Sequence, residues 1–135
     1  MNTKIIKKWE ENNRHLREYI ATNPQSMYGN YEEMVKLLVK YILNTNEEWF
    51  NSEEITVVDD GDYQGALIFL IPAKTYQPSK NEYLVTSVEY GSCSGCDTLK
   101  SIRRYTDGFP TEEQIDDYMM LFLHLIQNMK PLYGG

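Results

Sequence analysis

The residues best suited to chemistry are Cys93 and Cys96, in the run Gly91-Ser92-Cys93-Ser94-Gly95-Cys96-Asp97. Thiolates at C-x-x-C spacing form half of a tetrahedral zinc site. A complete site needs two more ligands. The chain has no other cysteine, and His15 and His124 lie far apart with no histidine three to five residues from either. Two copies of the chain could pool four thiolates, so zinc is the one cofactor the sequence suggests. The same spacing between a strand and a helix is the local layout of thioredoxin-like motifs, where a helix N-terminus lowers a thiol pKa. That fold needs further strands after the helix, and only helical pattern follows here. The plainest reading is a turn whose two small, soft side chains pack beneath the end of a sheet. The loop could also offer unpaired N–H groups to a phosphate or carboxylate, with Arg103 or Arg104 nearby. It matches neither G-x-x-x-x-G-K-[ST] nor G-x-G-x-x-G.

The second candidate is electrostatic. From Lys40 to Lys74 the intervening chain carries no Lys or Arg, yet it holds Glu47, Glu48, Glu53, Glu54, Asp59, Asp60 and Asp62. These seven acids equal the formal net charge of −7. Such a segment could mimic nucleic-acid phosphates or steer a basic partner. It could also hold a divalent cation through Asp59, Asp60 and Asp62, although the EF-hand spacing is absent. Its simplest role is to keep a hairpin edge soluble and unpaired. The doublets Glu32-Glu33 and Glu112-Glu113 fall in first helical turns, where the helix dipole accounts for them. The N-terminal segment leans basic, with Lys4, Lys7, Lys8, Arg14 and Arg17. The 11 tyrosines serve strands, core and interfaces equally well, and Tyr63 adjoins the acidic run.

No catalytic constellation is evident: the chain has no G-x-S-x-G and no H-E-x-x-H. His124 falls on the most apolar helix, which predicts a hydrogen-bonded core histidine. His15 falls on a polar stretch and is expected to be solvated.

These residues must be positioned by a domain of ordinary size. At 135 residues with 41% apolar content, one core can form without metal or disulfide, burying roughly two-thirds of the unfolded surface. The mean hydropathy of −0.54 and the absence of an apolar run of about 18 residues argue against a membrane span. The acidic balance argues against direct nucleic-acid or anionic-membrane binding. The start Met1-Asn2-Thr3-Lys4 leads into no apolar stretch, and the expectation is a cytoplasmic protein with reduced thiols.

The elements follow from periodicity. Residues 3–20 predict an amphipathic helix, with Ile6, Trp9, Leu16 and Ile20 on one face beside Ile5 and Tyr19. Asn30 can cap a second helix running to about Asn44, its stripe Met34, Leu37, Leu38, Tyr41 and Ile42. Residues 54–59 and 64–71 read as strands joined by the turn Asp60-Gly61-Asp62-Tyr63. Residues 83–90 alternate as a third strand. A short helix over 97–105 follows. Thr111 and Gln114 form a capping box for a last helix with the stripe Ile115, Tyr118, Met119, Phe122, Leu123, Ile126 and Met129, which Pro131 ends. The order ααβββαα predicts a single α+β domain with an antiparallel meander of three or more strands flanked by helices.

Asp62-Tyr63-Gln64-Gly65, Ile71-Pro72, Tyr76-Gln77-Pro78 and Tyr90-Gly91-Ser92-Cys93-Ser94-Gly95-Cys96-Asp97-Thr98-Leu99 resemble a family of small uncharacterised proteins of bacteriophages and prophages. The resemblance covers a little over half the chain and transfers no functional residue. It implies a phage protein acting in a host cytoplasm, a context in which small proteins often bind and block a host factor. The expected function is therefore a non-enzymatic binding protein. Glu53, Glu54, Asp59, Asp60, Asp62 and Tyr63 would engage a basic surface on a host or phage protein, such as a nucleic-acid-handling or defence protein. The alternatives are a small-ligand, phosphate or zinc protein using Gly91 to Asp97, and a C-x-x-C thiol redox protein.

Overall fold

The computed structural model describes residues 2–45, 49–61, 65–74, 83–90, 98–103 and 108–131. It is an α+β fold containing an antiparallel β-meander. Helix α1 (Asn2–Thr22) runs unbroken through its polar middle. There Asn12 Nδ2 donates to Lys8 O at 2.8 Å and Asn13 Nδ2 to Trp9 O at 2.9 Å. These side chains back-bond along the helix and leave no unsatisfied amide where apolar residues are missing. The buried stripe is Ile5, Trp9, Leu16 and Ile20. Ile6 is only half-buried, so the helix is rotated slightly from the expected face.

Helix α2 (Tyr31–Leu38) continues through a π-helical turn (Val39–Leu43). Asn30 is its cap, as expected, with Oδ1 accepting from Glu33 N at 2.9 Å. The wide turn is closed by Asn44 N donating to Val39 O at 2.8 Å. Asn44 then holds the returning chain through both amide atoms: Nδ2 donates to Phe50 O at 2.9 Å, and Oδ1 accepts from Phe50 N at 3.1 Å.

Strands β1 (Thr56–Gly61), β2 (Gly65–Pro72) and β3 (Tyr83–Tyr90) form the meander. Cross-strand partners share a face, so Val57, Phe69 and Thr86 face the helices together, as do Asp59, Leu67 and Val88. Thr86, buried on that face, donates its hydroxyl to Leu125 O at 2.7 Å. Helix α3 (Thr98–Arg103) precedes α4 (Glu112–Gln127), whose Thr111–Gln114 capping box forms in both directions at 3.1 and 2.9 Å.

The meander of three or more strands expected from the sequence has a fourth, β4 (Lys130–Pro131), which pairs with Leu84 and Val85 of β3 after α4. Pro131 therefore ends a helix and also occupies a sheet edge, where a missing N–H is tolerated. Strand β1 starts two residues later than expected and runs to Gly61, so Glu54 precedes it while Asp59 and Asp60 lie inside it. His124 is exposed rather than buried, because the core-facing side of α4 is set by Tyr118, Leu121, Phe122, Leu125 and Ile126. Leu123 is only half-buried beside them. His15 is exposed, as expected.

The described tyrosines point mostly inward. Tyr28, Tyr31 and Tyr118 are buried, Tyr19, Tyr41 and Tyr83 are half-buried, and no described tyrosine side chain is exposed. Tyr28 and Tyr118 meet edge-on with ring centroids 5.1 Å apart. Tyr118 OH donates to Gln25 Oε1 at 2.8 Å, and Tyr28 OH donates to Ile20 O at 2.9 Å. Burial, followed by the proximity of Tyr118 and Tyr19, raises the Tyr28 phenol well above its ordinary 10.0. Tyr118 is pushed up to about 12 by burial, against a smaller opposing pull from Arg103. The folded state therefore prefers neutral phenols. In the unfolded chain both ionise near 10.0. Their contribution to stability is thus complete below pH 10 and is lost as pH rises above 10, through about 12 for Tyr118 and higher still for Tyr28. In an alkaline titration, the tyrosinate absorbance of these two residues is expected to appear only together with loss of helical circular dichroism. Full ionisation near pH 10 with the fold intact would contradict their burial.

Candidate functional site: an acidic edge beside an apolar cleft

The site is built where the start of α2, the short helix α3 and the inner face of the sheet converge. Two hydrogen bonds fasten α3 to the approach of α2. Leu99 N donates to Tyr31 Oη at 3.2 Å, and Arg103 Nη1 donates to Gly29 O at 2.9 Å. Gly29 is required by this approach: a Cβ there would lie 2.7 Å from both Arg103 Cζ and Gln25 O. Beyond these fastenings opens a cleft of about 560 Å³. Its walls are Val57, Leu67, Phe69 and Leu99, and its rim carries Arg103, Glu32 and Glu33.

The acids gather from segments far apart in sequence. Lys36 Nζ lies 3.6 Å from a carboxylate oxygen of Glu32 and 3.6 Å from one of Glu33. Burial pulls the Lys36 ammonium down, but Glu33, Glu32 and Glu53 together outweigh it and raise its pKa overall. Glu53 therefore adjoins the exposed side of α2, where it also approaches Lys40 at 3.7 Å. Glu53, Glu54 and Asp59 are all exposed. Strand geometry sets Asp59 on the same face as Val57, beside Leu67 of the cleft. These solvated pairs contribute little to stability, about 0–1 kcal/mol each.

Of the residues singled out from the sequence, Glu53 reaches Lys40 just past α2, whose first turn carries Glu32 and Glu33, which sequence reasoning assigned only to the helix dipole; Glu54 and Asp59 are exposed before and within β1. Arg103, expected to serve the cysteine loop, binds Gly29 O. Gly91, Ser92, Cys93, Ser94, Gly95 and Cys96 lie outside the described residues, as do Asp62 and Tyr63. Asp60 is described only as a strand residue. The zinc, phosphate and redox readings of the loop rest on those undescribed positions. Among the described residues no three of His, Cys, Asp and Glu gather to hold a metal ion. Among them, too, no helix is long and apolar enough to cross a membrane. Sequence reasoning missed Gly29, Tyr31, Leu67 and Leu99. The one available signal was the Gly-Asn pair before α2, a close-approach residue followed by a cap.

A second concavity lies between β3 and the end of α4, lined by Ser87, Glu89, His124 and Lys130 among others. On the first turns of α1, Lys4, Lys7 and Lys8 line another with Glu11. The cleft beside β1 combines an apolar floor with a charged rim.

Comparison with protein-family models, with curated proteins and with solved structures finds no match to this chain.

Proposed function

We propose that this chain is a non-enzymatic binding protein whose acidic β1 side engages a basic surface on another protein. The phage resemblance suggests a host protein, with a nucleic-acid-handling or defence protein as the fitting class. The observation that carries this reading is that Glu32 and Glu33 flank Lys36 at 3.6 Å and Glu53 approaches Lys40 at 3.7 Å, while Glu54 and Asp59 are exposed in the segment that follows. Acids on one side of a protein raise the local concentration of a basic partner and speed its docking.

The test is the triple variant Glu53→Gln, Glu54→Gln, Asp59→Asn. All three side chains are exposed, so the fold is expected to persist. Association with a partner captured from host lysate should slow on the order of tenfold at low salt. The difference from wild type should shrink as salt rises. Binding that is independent of salt and unchanged in the variant would overturn the reading.

A further inference from the structure

We propose that Trp49 anchors the basic partner, its exposed indole stacking on an arginine guanidinium that the partner presents. This rests on the electrostatic reading above and names the side-chain chemistry that the partner must supply. Trp49 is 60% exposed, whereas Trp9, the other tryptophan, lies in the core. Tryptophan is highly buried on average. Where it does reach a surface, it is enriched at interfaces and at their hot spots.

The backbone beneath the indole is firmly held. Lys74 N donates to Trp49 O at 2.8 Å and Asn51 N to Pro72 O at 2.9 Å, so 49–51 lies antiparallel to 72–74, with Phe50 bridging Ala73. Asn44 grips Phe50 through both amide atoms. Phe50 packs on the core. Side chains alternate along an extended chain, so Trp49 turns outward. An aromatic ring presented on a fixed backbone loses little freedom on docking. A turn follows at once: Asn51 Oδ1 accepts from Glu53 N at 3.0 Å and Asn51 O from Glu54 N at 3.4 Å. It keeps both acids beside the 49–51 piece, and Glu53 lines one concavity with Phe50, Asn51 and Ser52. Lys40 already draws Glu53 at 3.7 Å, so Glu54, which is exposed, is the acid better placed to meet a partner's cation. The face of an indole and a nearby carboxylate both favour positive charge. A flat guanidinium satisfies the two together, stacking on the ring while its N–H groups donate to the carboxylate. A lysine ammonium is a compact, strongly hydrated charge and does this less well. A purely apolar partner would leave the acids uncompensated.

The experiment titrates the full chain with blocked hexa-arginine and, separately, with blocked hexa-lysine, which carries the same charge. The indole Nε1–H resonances of the two tryptophans report binding by NMR, and isothermal calorimetry gives the affinities. Hexa-arginine is expected to shift the Trp49 resonance, to leave that of Trp9 in place and to bind about threefold or more tightly than hexa-lysine. Trp49→Ala, at an exposed position, should keep the fold and bring the arginine peptide down to the affinity of the lysine peptide. If that variant misfolds, the two peptides on the unaltered chain still decide. The triple neutralisation and added salt should weaken both peptides. Equal affinity of the two peptides with the Trp49 resonance unmoved, while both respond to salt and to the triple variant, would overturn the stacking role and leave the electrostatic reading standing. An arginine preference that survives Trp49→Ala would overturn the stacking role in the same way. An arginine preference that Trp49→Ala abolishes, but that salt and the triple variant do not touch, would instead overturn the electrostatic reading. Failure of both peptides to bind would overturn both.

Discussion

Phe122→Asp is expected to leave the chain unfolded. Phe122 is fully buried at the centre of the α4 stripe, between Tyr118 and Ile126, which are buried to the same degree. Helix α4 packs on α1, α2, α3 and β3, so no neighbouring element can move aside without opening the core. An aspartate there loses the aromatic packing and buries a carboxylate. No basic residue belongs to the buried core cluster to meet it. The expected cost exceeds about 4 kcal/mol, comparable with the total stability of about 5–15 kcal/mol for a domain. Met120→Asp is the control. Met120 lies on the same helix two residues earlier but is 56% exposed, and its replacement should change stability by less than about 0.5 kcal/mol. Circular dichroism melts of the two variants read the difference directly. A cooperatively folded Phe122→Asp protein with an unchanged midpoint would contradict the assignment of this face of α4.

Gly29→Ala is expected to destabilise the domain by about 1–3 kcal/mol, which lowers the melting midpoint by roughly 3–15 °C. The added methyl would sit 2.7 Å from the Arg103 guanidinium carbon and 2.7 Å from Gln25 O. The guanidinium is the end of a flexible side chain, whereas the Gln25 carbonyl is backbone, held where Gln25 N donates to Gly108 O at 2.9 Å. Arg103→Ala alone should cost about 0.5–1.5 kcal/mol through loss of its bond to Gly29 O. In the double variant the guanidinium clash is gone and the Gln25 clash remains. The combined loss should then be smaller than the sum of the single losses, yet larger than that of Arg103→Ala alone. Strict additivity would show that Arg103 swings clear of the methyl without cost. The measurement bears on the cleft as well, since Gly29 and Arg103 line it.

Local patterning carried much of the architecture. The caps at Asn30 and Thr111 could be read from the sequence because they involve residues three apart in one chain segment. The third strand was placed at 83–90 by its alternation alone, since a strand with one covered face must alternate. The limits of β1 were less legible. Glu54 looks like the start of a strand, but Asn51 Oδ1 accepts from Glu53 N at 3.0 Å and sets a turn just before it. His124 illustrates the same boundary: an apolar helix predicts burial for every residue on it, and only the packing partners choose which side turns inward.

The sequence by itself determined the class of fold, the helix starts, the meander and the concentration of negative charge between Lys40 and Lys74. These depend on periodicity, capping and charge counts, all of which act within a few residues. Tertiary structure decided what that charge lies beside. Glu32 and Glu33 come within reach of Glu53 because α2 passes the segment leading into β1, a proximity that no spacing along the chain encodes. The cleft is tertiary in the same sense. Gly29, Leu67, Leu99 and Arg103 are ordinary residues in their own segments, and they form one concavity because tertiary contacts, the hydrogen bonds from α3 to Tyr31 and Gly29 among them, bring α3 to the start of α2.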